Sequence, residues 1–190
     1  MTQTDANDTA TVTASEIGAL RALLRDKQFA QVLAGANELL ARAPAERDAL
    51  LFAAIAQRNL GQLAEAAQTL NTLERYHPNF SRLFEERGHG YVAQRLAPQA
   101  LEAFGQAVKL NYALPASWSM LEGLNRMTGQ SANAAAAASQ VATLRKLPQP
   151  VVTATSLFMD GDLDLAEPMI RAYLLEHGNQ IEAMRLLARI

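Results

Sequence analysis

The sequence predicts an all-α protein, a right-handed solenoid of stacked helix–turn–helix units, and three observations carry that expectation. Pro44 and Pro78 lie 34 apart, Gly61, Arg95 and Gly129 sit at one equivalent position of that spacing, and Ala66, Ala100 and Ala134 at another. A fixed period of that length marks repeated supersecondary units rather than one continuous core. Ala and Leu dominate while aromatics make up only 6% of the 190 residues, which favours helix over strand. Gly and Pro fall between the apolar-periodic stretches, where they end one helix and begin the next.

Residues 1–12 are polar and lack apolar periodicity, so a disordered tail is expected there. They contain no basic stretch followed by an apolar run, which argues against a secretory signal. Thr13-Ala14-Ser15-Glu16 has the form of a capping box and opens the first helix. Units are expected over 13–46, 47–80, 81–114, 115–146 and 147–180, with a half unit over 181–190. Each holds a helix, a tight turn, a second helix and a loop. The turns are placed at Asp26-Lys27-Gln28, Leu60-Gly61-Gln62, Arg95-Leu96-Ala97, Thr128-Gly129-Gln130 and Asp160-Gly161-Asp162. Three of them carry Gly, which adopts the left-handed conformation at little cost. Pro148 and Pro150 shorten the first helix of the fifth unit. The alanine run from Ala134 to Ala138 is a strong helix former with a thin packing face. In the closing segment, Ile181, Met184, Leu187 and Ala188 share a helix face that has no second helix to cover it. That points to a chain that is the front part of a longer one, or to a face buried against a partner or a second copy.

Side-chain size alternates within each unit. At positions 4, 7, 8, 11, 20, 24 and 27 the third unit has Phe84, Arg87, Gly88, Tyr91, Ala100, Phe104 and Ala107. The second has Leu50, Ala53, Ala54, Gln57, Ala66, Leu70 and Leu73, and the fourth Trp118, Leu121, Glu122, Asn125, Ala134, Ala138 and Val141. Small residues let paired helices approach and large ones fill the gap to the next unit. This pattern resembles the tetratricopeptide (TPR) repeat throughout 13–190. The third unit matches most closely. The first departs with Glu16 at position 4 and Val32 at position 20, and the fifth with Pro150 at position 4.

Composition excludes several kinds of chemistry. The chain has no Cys, so thiolate metal sites, disulfides and Cys nucleophiles are absent. The net charge of −2 gives no general attraction to nucleic acid. No stretch has the roughly 18 consecutive apolar residues of a membrane span, and a cytoplasmic protein is expected. There is no Gly-rich phosphate loop. His77 and His177 share a loop position, which suits a structural role better than metal binding. Asp160-Gly161-Asp162 with Asp164 faintly resembles a calcium loop. Arg171 stands where the closing Glu would be, so it reads as a helix C-cap followed by an N-cap. No catalytic residue, metal ligand or cofactor is assigned.

The candidate functional surface is the groove lined by the first helix of each unit, where positions 2, 5, 9, 12 and 13 face inward in TPR arrays. The residues chosen there are Arg21, Arg25, Arg58, Asn59, Arg82, Glu85, His89 and Arg126. Asp48, Leu51, Ile55, Val92, Ser119, Met127, Thr155, Phe158 and Met159 share those positions. Five Arg against two acids suggest a groove for an acidic or neutral protein or peptide segment. The reversals Arg58→Glu and Arg82→Glu together are expected to abolish its binding. The chaperone-type carboxylate clamp does not carry over, because Ile17 and Arg21 stand where its Lys and Asn would be.

The stretches Phe80 to Tyr91 (FSRLFEERGHGY), Leu114 to Leu124 (LPASWSMLEGL) and Thr153 to Asp162 (TATSLFMDGD) resemble the N-terminal repeats of bacterial TPR-containing sulfotransferase-family proteins. The resemblance implies a non-catalytic array that presents a segment to a downstream domain using a phosphoadenosine phosphosulfate donor. The donor-binding strand–turn–helix has no counterpart here, so no catalytic residue transfers. The alternative is a stand-alone TPR adaptor or secretion chaperone.

Overall fold

A computed structural model describes residues 12–190; the tail expected over 1–12 lies outside the described residues up to residue 11. The described residues hold eleven helices and no strand. The chain divides into two compact units, one running to Pro78 and one starting at Asn79.

The first unit contains α1 (Ala14–Arg25), α2 (Phe29–Arg42), α3 (Arg47–Asn59) and α4 (Leu63–Tyr76). Thr13 and Glu16 form the expected capping box, and Glu16 also pairs with Arg42 of α2. The position-4 departure of the first unit is therefore an N-terminal cap and an inter-helix tie. These hydrogen bonds hold the Glu16 carboxyl down at about 2. Val32, Ala36, Leu39, Leu50, Ala53, Ala54, Leu70 and Leu73 are buried at helical spacing. Gly35 lies under Leu20, where an added Cβ would come within 2.7 Å of the leucine Cδ2.

The second unit contains α5 (Ser81–Ala93), α6 (Ala97–Leu110), α7 (Pro115–Met127), α8 (Ser131–Arg145), α9 (Gln149–Met159), α10 (Leu163–His177) and α11 (Ile181–Leu187). One apolar cluster joins α6, α7 and α8 through Ala100, Phe104, Val108, Leu121, Leu124 and Ala137, and Tyr91 and Val92 of α5 pack against it. A second joins α9 to α11 through Val151, Ala154, Ile170, Ala183 and Leu186. Gly88 faces the Phe104 ring so closely that a Cβ would lie 2.8 Å from three ring carbons. In the alanine run, Ala134 and Ala137 are buried while Ala135 and Ala136 are exposed, which is the thin face expected of it.

The five turns within helix pairs share one geometry. Lys27, Gly61, Arg95, Gly129 and Gly161 all have positive φ, between 58° and 84°. The following amide reaches back to the carbonyl five residues earlier in each case: Gln28 to Leu23, Gln62 to Gln57, Leu96 to Tyr91, Gln130 to Asn125 and Asp162 to Leu157. The third turn sits one residue earlier than expected, because Ala97 is already the first residue of α6. Helix α9 is short, with Pro148 as its N-cap and Pro150 in its first turn. Pro168 lies inside α10 and removes one amide from the helix ladder. In α11 the inward residues are Ala183 and Leu186, while Ile181 and Met184 are exposed. The inward face is thus rotated from the one read in the sequence, because Leu186 rather than Met184 packs on α9 and α10.

Candidate functional site

In the first unit, Arg21 pairs with Asp48 of α3 at 3.1 Å and its guanidinium lies 5.9 Å from the centre of the Phe52 ring. Arg25 is mostly exposed, 3.9 Å from Asp26. Asn59 donates to the Ile55 carbonyl of its own helix at 2.8 Å. Arg58 occupies the last turn of α3 and is half-buried.

In the second unit the chosen residues divide. Arg82, at the start of α5, donates from Nη1 to Glu85 Oε2 at 2.8 Å and from Nη2 to Ser156 Oγ at 2.9 Å. Its Nε lies 3.5 Å from Asp160 Oδ2. Glu85 also accepts from Ser117 Oγ of α7 at 2.8 Å. His89 sits edge-on to the Phe104 ring, with centroids 5.1 Å apart. Arg126 is exposed and pairs with Glu122 one turn away, at 2.6 Å. The guanidinium groups of Arg21, Arg82 and Arg126 are thus each matched to carboxylates of this chain.

Asp160 is the centre of a network that sequence spacing did not reveal. Ser81 donates to its Oδ1 from the backbone amide at 3.2 Å and from Oγ at 2.5 Å. Asn111, the fully buried C-cap of α6, donates to Asp160 Oδ2 at 3.1 Å and to the Ser156 carbonyl at 3.0 Å. Asp160 thereby places a carboxylate at the N-terminus of α5, where the exposed helix amides favour negative charge. Burial pushes its carboxyl above the usual 3.8, against the opposing pull of Ser81, Arg82 and Asn111. The expected C-cap is present, but the carboxylate of the calcium-like loop is turned to this network. Asp162 stands at the N-cap of α10 without a side-chain capping hydrogen bond.

Toward the opposite end of α5, an apolar groove of about 460 Å³ is lined by residues of α5, of α7 and of the start of α6. Its lining includes Val92, Ala97, Met120, Gly123, Leu124 and Met127, together with the polar Arg95 and Ser119. Met127 is 82% exposed. A Cβ on Gly123 would meet nothing within 4 Å, so the lack of a side chain there leaves open space. Val92, Ser119 and Met127 were among the positions expected to face inward. Gly123 holds an inward position of the fourth unit without having been singled out, whereas Met120 and Leu124 lie outside those positions, although the seven-residue step from Met120 to Met127 signals one helix face.

The histidines of the loops are engaged locally. His77 Nε2 is 2.8 Å from the Ala45 carbonyl. His177 stacks on Tyr173 with centroids 4.4 Å apart and lies 3.2 Å from its carbonyl. Among the described residues, no group of three or more His, Asp or Glu could hold a metal ion. None of their helices is long and apolar enough to cross a membrane.

No model of a known protein family matches the chain, and no curated protein matches it. Solved structures do. TTC0263, a thermophilic TPR protein of Thermus thermophilus, aligns with a TM-score of 0.61 at 19% identity, over 92% of this chain and 96% of that one. The fold is that of a TPR protein. MamA (residue 41 to its end) from Desulfovibrio magneticus RS-1 aligns with a TM-score of 0.59 at 18% identity, over 69% of this chain and 74% of its own. YrrB, a TPR protein with an unusual peptide-binding site, aligns with a TM-score of 0.56 at 15% identity, over 94% of this chain and 92% of its own.

Proposed function

We propose that this TPR chain is a non-catalytic binding scaffold that holds a protein or peptide segment against the α5–α7 groove. The observation that carries the reading is the apolar lining of that groove, with Met127 largely exposed at its mouth. Methionine adapts its shape to varied apolar partners. With Arg82 and Arg126 matched to internal carboxylates, the groove favours an apolar anchor over a purely acidic segment. The test is panning of a displayed peptide library against the protein, followed by calorimetry of an enriched peptide. Met127→Glu should weaken that peptide at least about tenfold by putting a charge in the apolar contact. Arg21→Glu should leave it unchanged. Equal binding to both variants would remove the groove from the proposal.

In its finer form, the scaffold is the N-terminal array of a cytoplasmic, bacterial sulfotransferase-like protein. The support is the resemblance of Phe80 to Tyr91, Leu114 to Leu124 and Thr153 to Asp162. Reading the coding sequence beyond Ile190 tests it: a strand, a Ser/Thr-bearing loop and a helix are expected. The second reading is a stand-alone adaptor or secretion chaperone. It is favoured by the exposed Leu175, Ile181 and Met184, which offer apolar surface to a partner or a second copy.

A further inference from the structure

A second cavity, of about 400 Å³, lies apart from the α5–α7 groove, between the end of α8, helices α9 and α11, and Tyr112 and Ala113 of the α6–α7 loop. Its apolar wall is built from Leu144, Val151, Val152 and Leu186, all of them buried. Its other wall is cationic at two places, Arg185 and Arg189, against one carboxylate, Glu182. The volume is in the range of small-molecule sites, and an apolar enclosure with a few polar groups on one side is their usual composition.

The two guanidinium groups are held in different ways. Arg185 Nη1 pairs with Glu182 Oε1 at 2.8 Å, which occupies a minority of its five N–H donors. Arg189 lies over the Phe158 ring, 4.9 Å from its centre. A cation–π contact does not use up the N–H donors of a guanidinium as a carboxylate pair does, so donors of Arg189 can meet an anion. Glu182 offsets one positive charge, so the wall keeps an excess of one. A dianion is therefore a poorer match than a monoanion, and a neutral ligand gains nothing from the two guanidinium groups.

We infer that the α8–α9–α11 cavity binds a small amphipathic monocarboxylate, its aliphatic body against Val151, Val152 and Leu186 and its carboxylate against Arg185 and Arg189. The same chemistry is offered by a free aliphatic acid and by the C-terminal residue of a peptide with an apolar side chain. The inference is independent of the α5–α7 groove, since the two cavities share no lining residue.

The experiment is calorimetry of the whole chain with n-octanoate, n-octanol and n-octylamine, each below its aggregation concentration. Octanoate should bind, octanol at least about tenfold more weakly and octylamine not at all, because only the first answers the cationic wall. The double variant Arg185→Glu with Arg189→Glu should reverse the preference toward octylamine. Both side chains are exposed, so the fold should tolerate the change. Ala188→Trp, at an exposed position on the cavity lining, should block all three ligands. Circular dichroism of each variant confirms that it is folded. A short peptide ending in Leu, as free acid and as amide, separates the sources: tighter binding of the free-acid peptide than of octanoate assigns the carboxylate to a chain terminus. No binding by any carboxylate, or octanoate binding unchanged in both variants, overturns the inference.

Discussion

Helices α5 to α8 share an apolar cluster, with Gly88 set directly against Phe104, and a single hydrogen bond from Ser117 to Glu85 adds a polar link between α5 and α7. Helices α9 to α11 have an apolar cluster of their own, and α9 is tied to the α5 N-terminus and the α6 C-cap through Ser81, Arg82, Asn111, Ser156 and Asp160. The two halves of this unit therefore answer perturbation differently. Apolar contact has no direction and weakens by degrees as area is lost. A buried polar network is directional, and removing one member leaves the others desolvated without partners.

The largest effect should come from breaking the network. Asn111→Leu removes the donor to Asp160 and to the Ser156 carbonyl, at a cost of about 2–4 kcal/mol in unfolding free energy. Hydrogen exchange should then rise across α9–α11 while α5–α8 stays protected. Uniform loss of protection would show that the halves are not distinct. Next in size is Gly88→Ala, whose Cβ would press on the Phe104 ring. Urea unfolding should show a loss of about 1–2 kcal/mol, the overpacking cost less the gain in helix propensity. Phe104→Leu should relieve part of that strain, and a double-mutant cycle without coupling would refute the contact.

The turns permit a smaller test. Lys27 and Arg95 hold the left-handed conformation that Gly61, Gly129 and Gly161 adopt freely. Lys27→Gly or Arg95→Gly should stabilise by about 0.5–1 kcal/mol, and Gly61→Ala should cost about 1. Thermal melts that move the other way would overturn the shared turn geometry.

The smallest effect expected is the pH response, where two carboxyls have opposite signs. Glu16 titrates at about 2 in the fold against 4.5 when free, so its contribution is present above 4.5 and is lost as pH falls toward 2. Asp160 titrates above 3.8 in the fold, so its ionised form counts against folding at neutral pH. As pH falls through its folded pKa, the folded state takes up the proton first and that cost is relieved. Asp160→Asn should therefore flatten the pH dependence of stability in that window, whereas Glu16→Gln should flatten it between 4.5 and about 2. Identical urea-midpoint profiles for wild type and Asp160→Asn would contradict the sign given for Asp160.

Local regularity made most of the helices legible. The capping box of α1, the prolines of α9 and the glycines of three turns act within a few residues, so their signals survive without tertiary information. The αL residues Lys27 and Arg95 became interpretable through their register with those glycines. The Asp160 network was not legible, because Ser81 lies 79 positions away and its proximity depends on where α9 packs. The same gap explains the groove. Repeat register pointed to Val92, Ser119 and Met127 among the residues that line it, but it could not show that Arg82 and Arg126 already have carboxylate partners or that Met120 and Leu124 line the open space. Proline inside α10 escaped the sequence reading as well, since a helix can continue past one missing amide when its neighbours hold it.

The contact between Gly88 and Phe104 has a spectroscopic consequence. One glycine α-proton points along the direction that the absent Cβ would take, toward the ring. Ring-current shielding will move that proton upfield of an ordinary glycine and separate it from its geminal partner. The displacement falls steeply with distance, so it measures the α5–α6 spacing inside the intact protein without an attached label. Any ligand or variant that parts those helices will be seen first as the return of this one resonance toward its neighbours.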